Sequence, residues 1–128
     1  MSPVLIVTNE QDLAADLVVL ELQRRDVPVL RCNTERLTNW HATCEPGRHW
    51  QLTDHLGRTA RSDEVSGVWW RRPEPPITPI EFASADERDA FVGQWQALLE
   101  SLASVPGPRW ISPPAAIRAA EDKAVQLA

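Results

Sequence analysis

The most chemically capable residues of this chain are two adjacent arginines. Arg71 and Arg72 follow Val68-Trp69-Trp70 and precede Pro73, which puts them at the carboxyl end of an apolar strand, the place where open α/β sheets bind their ligands. Guanidinium forks grip carboxylate or phosphate through two parallel hydrogen bonds. Arg71 and Arg72 are therefore the candidate substrate or interface contacts. The alternative is that one of them pairs with Glu74 or with a carboxylate of the long helix downstream, while the other is solvated. Cys32, His41, Cys44, His49 and His55 are of the types zinc prefers, but only His41-x-x-Cys44 has ligand-like spacing. Cysteine is common in cores and histidine on hairpins, so no metal site is assigned. Glu81, Asp86, Glu87 and Asp89 crowd the start of a helix, where negative charge complements the dipole. No catalytic residue is assigned.

Missing motifs narrow the chemistry further. The chain has no Walker loop, no G-x-G-x-x-G, no G-x-S-x-G and no C-x-x-C, and its five glycines stand singly. A phosphate cradle built from a glycine-rich turn is thus absent from the sequence. The chain alone is expected to hold no cofactor and not to be a complete nucleotide enzyme.

The elements that must position the arginines can be read in order. Pro3 to Thr8 is a continuous apolar, β-branched run, the signature of a strand buried on both faces. Asp12 can cap a helix whose apolar positions Leu13, Leu17, Leu20 and Val18, Leu22 recur at helical spacing, with Arg24 and Arg25 at its negative end. Val27 to Cys32 is a second strand, so strand, helix, strand forms a parallel crossover. Trp40 to Cys44 and Arg48 to Leu52 flank the turn Glu45-Pro46-Gly47, and Asp54 to Arg58 offers another turn before Thr59-Ala60-Arg61; these predict an antiparallel hairpin or meander. Ser66 to Arg72 is again a buried strand, with Trp69 and Trp70 on opposite faces. The four prolines between Pro73 and Pro79 make a stiff loop. Phe91, Trp95, Leu98, Leu99 and Leu102 mark a helix over about 83–104, and Arg109-Trp110-Ile111 a short last strand. Ser112-Pro113-Pro114 begins a terminal helix to Ala128 with no stop signal, as in a segment of a longer protein or a naturally frayed end.

Composition sets the outer bounds. At 128 residues and 43% hydrophobic the chain can bury one core. A formal charge of −5 and a pI near 5.1 argue against a nucleic-acid or anionic-membrane partner. Met1-Ser2-Pro3 lacks a basic n-region and Val4 to Val7 is too short for a signal or membrane segment. A cytoplasmic protein with reduced cysteines is expected.

With these residues in view the chain resembles the N-terminal, pre-ATP-grasp domain of the microviridin-type ATP-grasp peptide ligases, also called graspetide synthetases. Four stretches carry the resemblance: Val4 to Thr8 with Asp12-x-x-Ala15-Asp16-Leu17-Val18; Val29 to Glu35; Val68-Trp69-Trp70-Arg71-Arg72-Pro73; and Ser112-Pro113-Pro114 leading to Asp122-Lys123-x-x-Gln126-Leu127. The third is fairly specific; the first would fit many α/β domains. The resemblance implies a full enzyme that uses ATP and magnesium to activate an Asp or Glu side chain of a ribosomal precursor peptide as an acyl phosphate. A Ser, Thr or Lys of the same peptide then closes an ω-ester or ω-amide ring. It implies that Lys123 contacts the ATP phosphates in that enzyme, the alternative being an ordinary surface charge. Where the family commonly has Asn-Pro-Pro, this chain has Ser112-Pro113-Pro114.

The expected fold is therefore α/β, a small mainly parallel sheet flanked by helices, Rossmann-like, with an antiparallel hairpin insertion. Residues 1–112 would form the pre-ATP-grasp domain and 113–128 a helix leading to a C-terminal ATP-grasp domain. That domain and the precursor peptide are the implied partners, and a homodimer is left open. A rival reading is a free-standing flavodoxin-like or receiver-like module, in which Asp12, Asp16 or the two arginines hold a small anion or a partner.

Overall fold

The computed structural model describes residues 2–45, 48–77, 84–102 and 109–111. In chain order these form β1 (Val4–Thr8), α1 (Leu13–Arg24), β2 (Val29–Asn33), a 3₁₀ segment (Thr34–Asn39), β3 (His41–Glu45), β4 (His49–Thr53), β5 (Thr59–Arg61), β6 (Gly67–Trp70), α2 (Ala85–Leu102) and β7 (Trp110–Ile111). The α/β class read from the sequence is what the chain adopts. β2, β1, β6 and β7 lie side by side in that order, every pair parallel, and β3, β4 and β5 make a separate antiparallel meander. The expected hairpin is thus a three-stranded sheet of its own. The expected connecting helix over 113–128, with Lys123, lies outside the described residues.

Register decides which side chains share a face. Leu5 sits between Leu30 and Val68, and Val7 between Cys32 and Trp70, so these six point together. They pack with Trp50 and Leu52 of β4, Ala60 of β5, and Leu99 and Leu102 of α2 into one cluster of buried side chains. Ile6, Arg31 and Trp69 are aligned on the opposite face, where α1 lies, since Arg31 bonds Asp16 and Asn9 there. Trp69 and Trp70 accordingly take opposite faces, as the strand alternation predicts.

The packing face of α1 differs from the expectation. Leu13, Leu17 and Leu20 are 74%, 69% and 61% exposed, whereas Ala15 is fully buried and Val18, Val19 and Leu22 are half-buried. The helix is apolar on two sides, so periodicity alone does not fix its rotation. What fixes it is the N-cap Asp12, tied by its side chain to Thr8 of β1 and to Arg71 just after β6, which turns the small Ala15 toward the sheet. Helix α2 follows the prediction more closely. Ser84 accepts the Glu87 amide at its start, and Leu99 and Leu102 reach the core while Trp95 packs against it.

Candidate functional site

The strand order creates one natural crevice. β1 passes through α1 to β2 on one side, and β6 passes through α2 to β7 on the other. The carboxyl ends of β1 and β6 therefore flank a topological switch point, the position where sheets of this type bind ligands. Arg71 and Arg72 stand there, immediately after β6, together with Thr8, Asn9 and Asp12 from the end of β1 and the start of α1.

The two arginines have different jobs. The Arg71 amide donates to the Val7 carbonyl at 2.9 Å, and Nε donates to Asp12 Oδ2 at 2.8 Å. The guanidinium carbon lies 5.3 Å from the centroid of the Trp69 ring, within cation–π range. The sequence offered Glu74 or the long helix as the partner of an arginine here; the partner is Asp12. Arg72 is exposed, and its side chain has no hydrogen bond or ion pair among the described residues. Only its carbonyl is held, accepting from Asn9 Nδ2 at 2.8 Å. Arg71 thus braces the crevice, and Arg72 presents a free fork on a fixed backbone.

Asp12 is the hub of that brace. Oδ1 accepts the Ala15 amide at 3.2 Å, capping α1, and Oδ2 accepts the Thr8 hydroxyl at 2.6 Å besides Arg71. Burial works against the charge, but the bonds from Thr8, Ala15 and Arg71 together hold its pKa below the ordinary carboxylate value. This carboxylate occupies the helix N-terminus at the switch point, the position where a dinucleotide-binding domain seats pyrophosphate on free amides. With no glycine in residues 8–12 and an acid already in place, this helix start does not fit a pyrophosphate, and no step through ATP or magnesium is assigned to it.

The surrounding loops are held firmly. Arg31 donates to the Asn33 side chain at 2.8 Å, to the Asn9 carbonyl at 2.7 Å and to Asp16. The Thr34 hydroxyl donates to the Glu74 carbonyl at 2.6 Å and accepts the Glu74 amide at 2.8 Å. The Ile77 amide donates to the Glu35 carbonyl at 3.0 Å. The proline-rich segment after Arg72 is thereby docked along the exit of β2. Arg31 and Thr34 were not singled out in the sequence; an arginine within an otherwise apolar strand was the available signal.

Other candidate chemistry does not converge. Cys32 is fully buried, and burial, reinforced by Glu35, pushes its thiol up to about 12, which makes it unreactive. His41 and His49 lie on β3 and β4, and His55 lies on the turn to β5. Among the described residues no three His, Cys, Asp or Glu come together as metal ligands.

Solved structures share this architecture. Macrocyclase MdnC from Microcystis aeruginosa MRC, bound with precursor peptide MdnA, superposes with a TM-score of 0.81 at 22% identity, over 98% of this chain and 42% of that one. Macrocyclase MdnB from the same organism gives 0.80 at 23% identity, over 99% and 43%. The chain has their fold. A Chryseobacterium gregarium RiPP-associated ATP-grasp ligase, in complex with ADP and a leader and core peptide, gives 0.75 at 22% identity, over 99% and 40%. This chain therefore spans about two-fifths of the length of each structure it matches. No protein-family model and no curated protein sequence matches it.

Proposed function

We propose that this chain is the pre-ATP-grasp domain of an ATP-dependent ligase that crosslinks side chains of a ribosomally made precursor peptide through ω-ester or ω-amide bonds. The observation that carries the reading is coverage. Nearly the whole chain matches a two-fifths portion of macrocyclases and an ATP-grasp ligase, and the string Trp69-Trp70-Arg71-Arg72-Pro73 sits at the switch point of the shared sheet. The ATP-handling chemistry belongs to a C-terminal ATP-grasp partner, where Lys123 would reach the nucleotide phosphates. The role of this domain is to scaffold that partner and dock peptide, with Arg72 offering its fork to a carboxylate and Arg71 holding the crevice in shape. A dimer contact is a further role for the same scaffold. The full enzyme acts in the cytoplasm; no helix among the described residues is long and apolar enough to cross a membrane.

The test is a crosslinking assay on the full gene product with its precursor peptide, ATP and magnesium, read by mass spectrometry as loss of one water per ring. Arg72→Ala should raise KM for the peptide about tenfold or more, the loss of one charge-assisted hydrogen bond, with the melting temperature unchanged. Unaltered kinetics in Arg72→Ala would remove Arg72 from the peptide-docking role. A gene product that leaves precursor peptides unmodified would remove the ligase reading itself.

A further inference from the structure

A second polar cleft lies on the β2 side of the switch point, where the 3₁₀ segment after β2 faces the turn between β4 and β5. It has a volume of about 230 Å³ and is lined by Glu10, Arg31, Arg36, Trp40, Asp54 and Arg58, among others. Arg36 Nε donates to Glu10 Oε1 at 2.6 Å, and Arg58 Nε donates to Asp54 Oδ2 at 2.7 Å. Their remaining guanidinium nitrogens make no hydrogen bond among the described residues. Both side chains are more than half exposed. The two arginines are thus alike: an acid grips Nε and fixes the plane of the fork, and the outer edge is left open to the cleft.

Anchoring matters because a held guanidinium loses less freedom on meeting an anion. The Arg58 anchor is the firmer. Asp54 is 6% exposed, and its Oδ1 also accepts the Leu56 and Arg58 amides at 3.0 and 2.8 Å, in a turn where Gly57 takes φ +82°. Burial raises the pKa of Asp54, but the bonds from Arg58 and Leu56 outweigh it and keep the acid ionised. Arg31 forms a wall rather than a ligand, being engaged with Asn33, Asn9 and Asp16.

Size and charge select the occupant. Ligand pockets for whole small molecules run to roughly 300–1,000 Å³, so this cleft suits a side-chain-sized group rather than a nucleotide. Arg58 is already matched by Asp54, and Arg36 by Glu10 with Glu35 also near it, so no large positive surplus draws a phosphate dianion. Two open forks beside the half-buried Trp40 instead match a monoanion seated by hydrogen-bond geometry. We propose that this cleft is a carboxylate-binding site, clamped by Arg36 and Arg58, that receives an acidic side chain of a bound polypeptide.

The experiment is a titration of the ¹⁵N-labelled chain, following the Trp40 indole and the Leu56 and Gly57 amides, with three probes: a blocked tetrapeptide bearing one glutamate, its glutamine counterpart, and inorganic phosphate. The glutamate peptide should give saturable shifts at these positions and bind about tenfold more tightly than the glutamine peptide. Arg36→Gln should weaken it about tenfold, as should Arg58→Lys, which keeps a countercharge for Asp54 but loses the fork; Arg48→Gln, on the turn between β3 and β4, should change nothing. If Arg36→Gln perturbs the whole spectrum, Arg58→Lys decides. Equal shifts from the two peptides, absence of saturation, or wild-type affinity in Arg58→Lys would overturn the proposal. Tighter binding of phosphate than of the glutamate peptide would overturn the carboxylate assignment.

Discussion

Removing Arg71 should destabilise the fold, whereas removing Arg72 should not. Arg71 is only 25% exposed at its side chain and donates to Asp12, whose side chain is 3% exposed. A hydrogen bond to a charged group contributes about 1.5–3 kcal/mol, so Arg71→Ala should cost about 2 kcal/mol. At roughly 2–8 °C per kcal/mol for domains of this size range, the melting temperature should fall by about 8 °C. Asp12→Ala loses that bond, the cap on Ala15 and the acceptor of the buried Thr8 hydroxyl, so a helix cap at about 1 kcal/mol and an orphaned hydroxyl at about 1 kcal/mol bring the total to about 4 kcal/mol. Asp12→Asn keeps a good cap and should cost about half of that. Because Arg71 and Asp12 share one bond, the double variant should fall short of the summed single losses by about 1–2 kcal/mol. Urea unfolding followed by circular dichroism measures the wild type and all five variants. Equal losses from Arg71→Ala and Arg72→Ala, or strict additivity of the Arg71 and Asp12 variants, would refute the division of labour between brace and free fork.

Further outcomes follow from the same geometry. Asp12 and Asp54 both have folded pKa values below their ordinary 3.8, so their stabilisation is present above that value and is lost as pH falls through the lower folded values; unfolding free energies should drop as pH is lowered below that value, less steeply in Asp54→Asn. Gly57 holds φ +82° with open space where a methyl group would sit, so Gly57→Ala should cost about 1 kcal/mol from backbone strain alone, checked by thermal melting. Leu17→Ser on the exposed side of α1 should shift stability by no more than about 0.5 kcal/mol, whereas Ala15→Leu on the buried side should cost about 1–3 kcal/mol through overpacking; the reverse order in urea unfolding would place the wrong face of α1 on the sheet.

Much of this architecture was legible because its signals are local. The apolar runs of β1 and β6 are long enough to identify a sheet covered on both sides, and Asp54 to Arg58 carries its turn chemistry in five residues. The position of Arg71 and Arg72 at a strand end was legible too, since they follow a buried strand directly. Their unequal roles were not. Arg71 and Arg72 are chemically identical in the sequence, and only the alternation of β6 sends one toward Trp69 and the cap of α1. The partner, Asp12, lies 59 positions away, and its capping role, visible locally, hid its tertiary one. The buried face of α1 was hidden for a related reason: leucines at helical spacing outweigh an alanine in any hydrophobic pattern, yet the side-chain ties of the cap determine the rotation.

The complete burial of Cys32, set against the half-buried Cys44, gives the molecule an internal clock for its own opening. An alkylating reagent has partial access to Cys44, half-buried on the core side of the antiparallel sheet, but reaches Cys32 only in the moments when β2 parts from its neighbours. The slow second modification then reports how often the parallel sheet comes apart, without any label having been introduced.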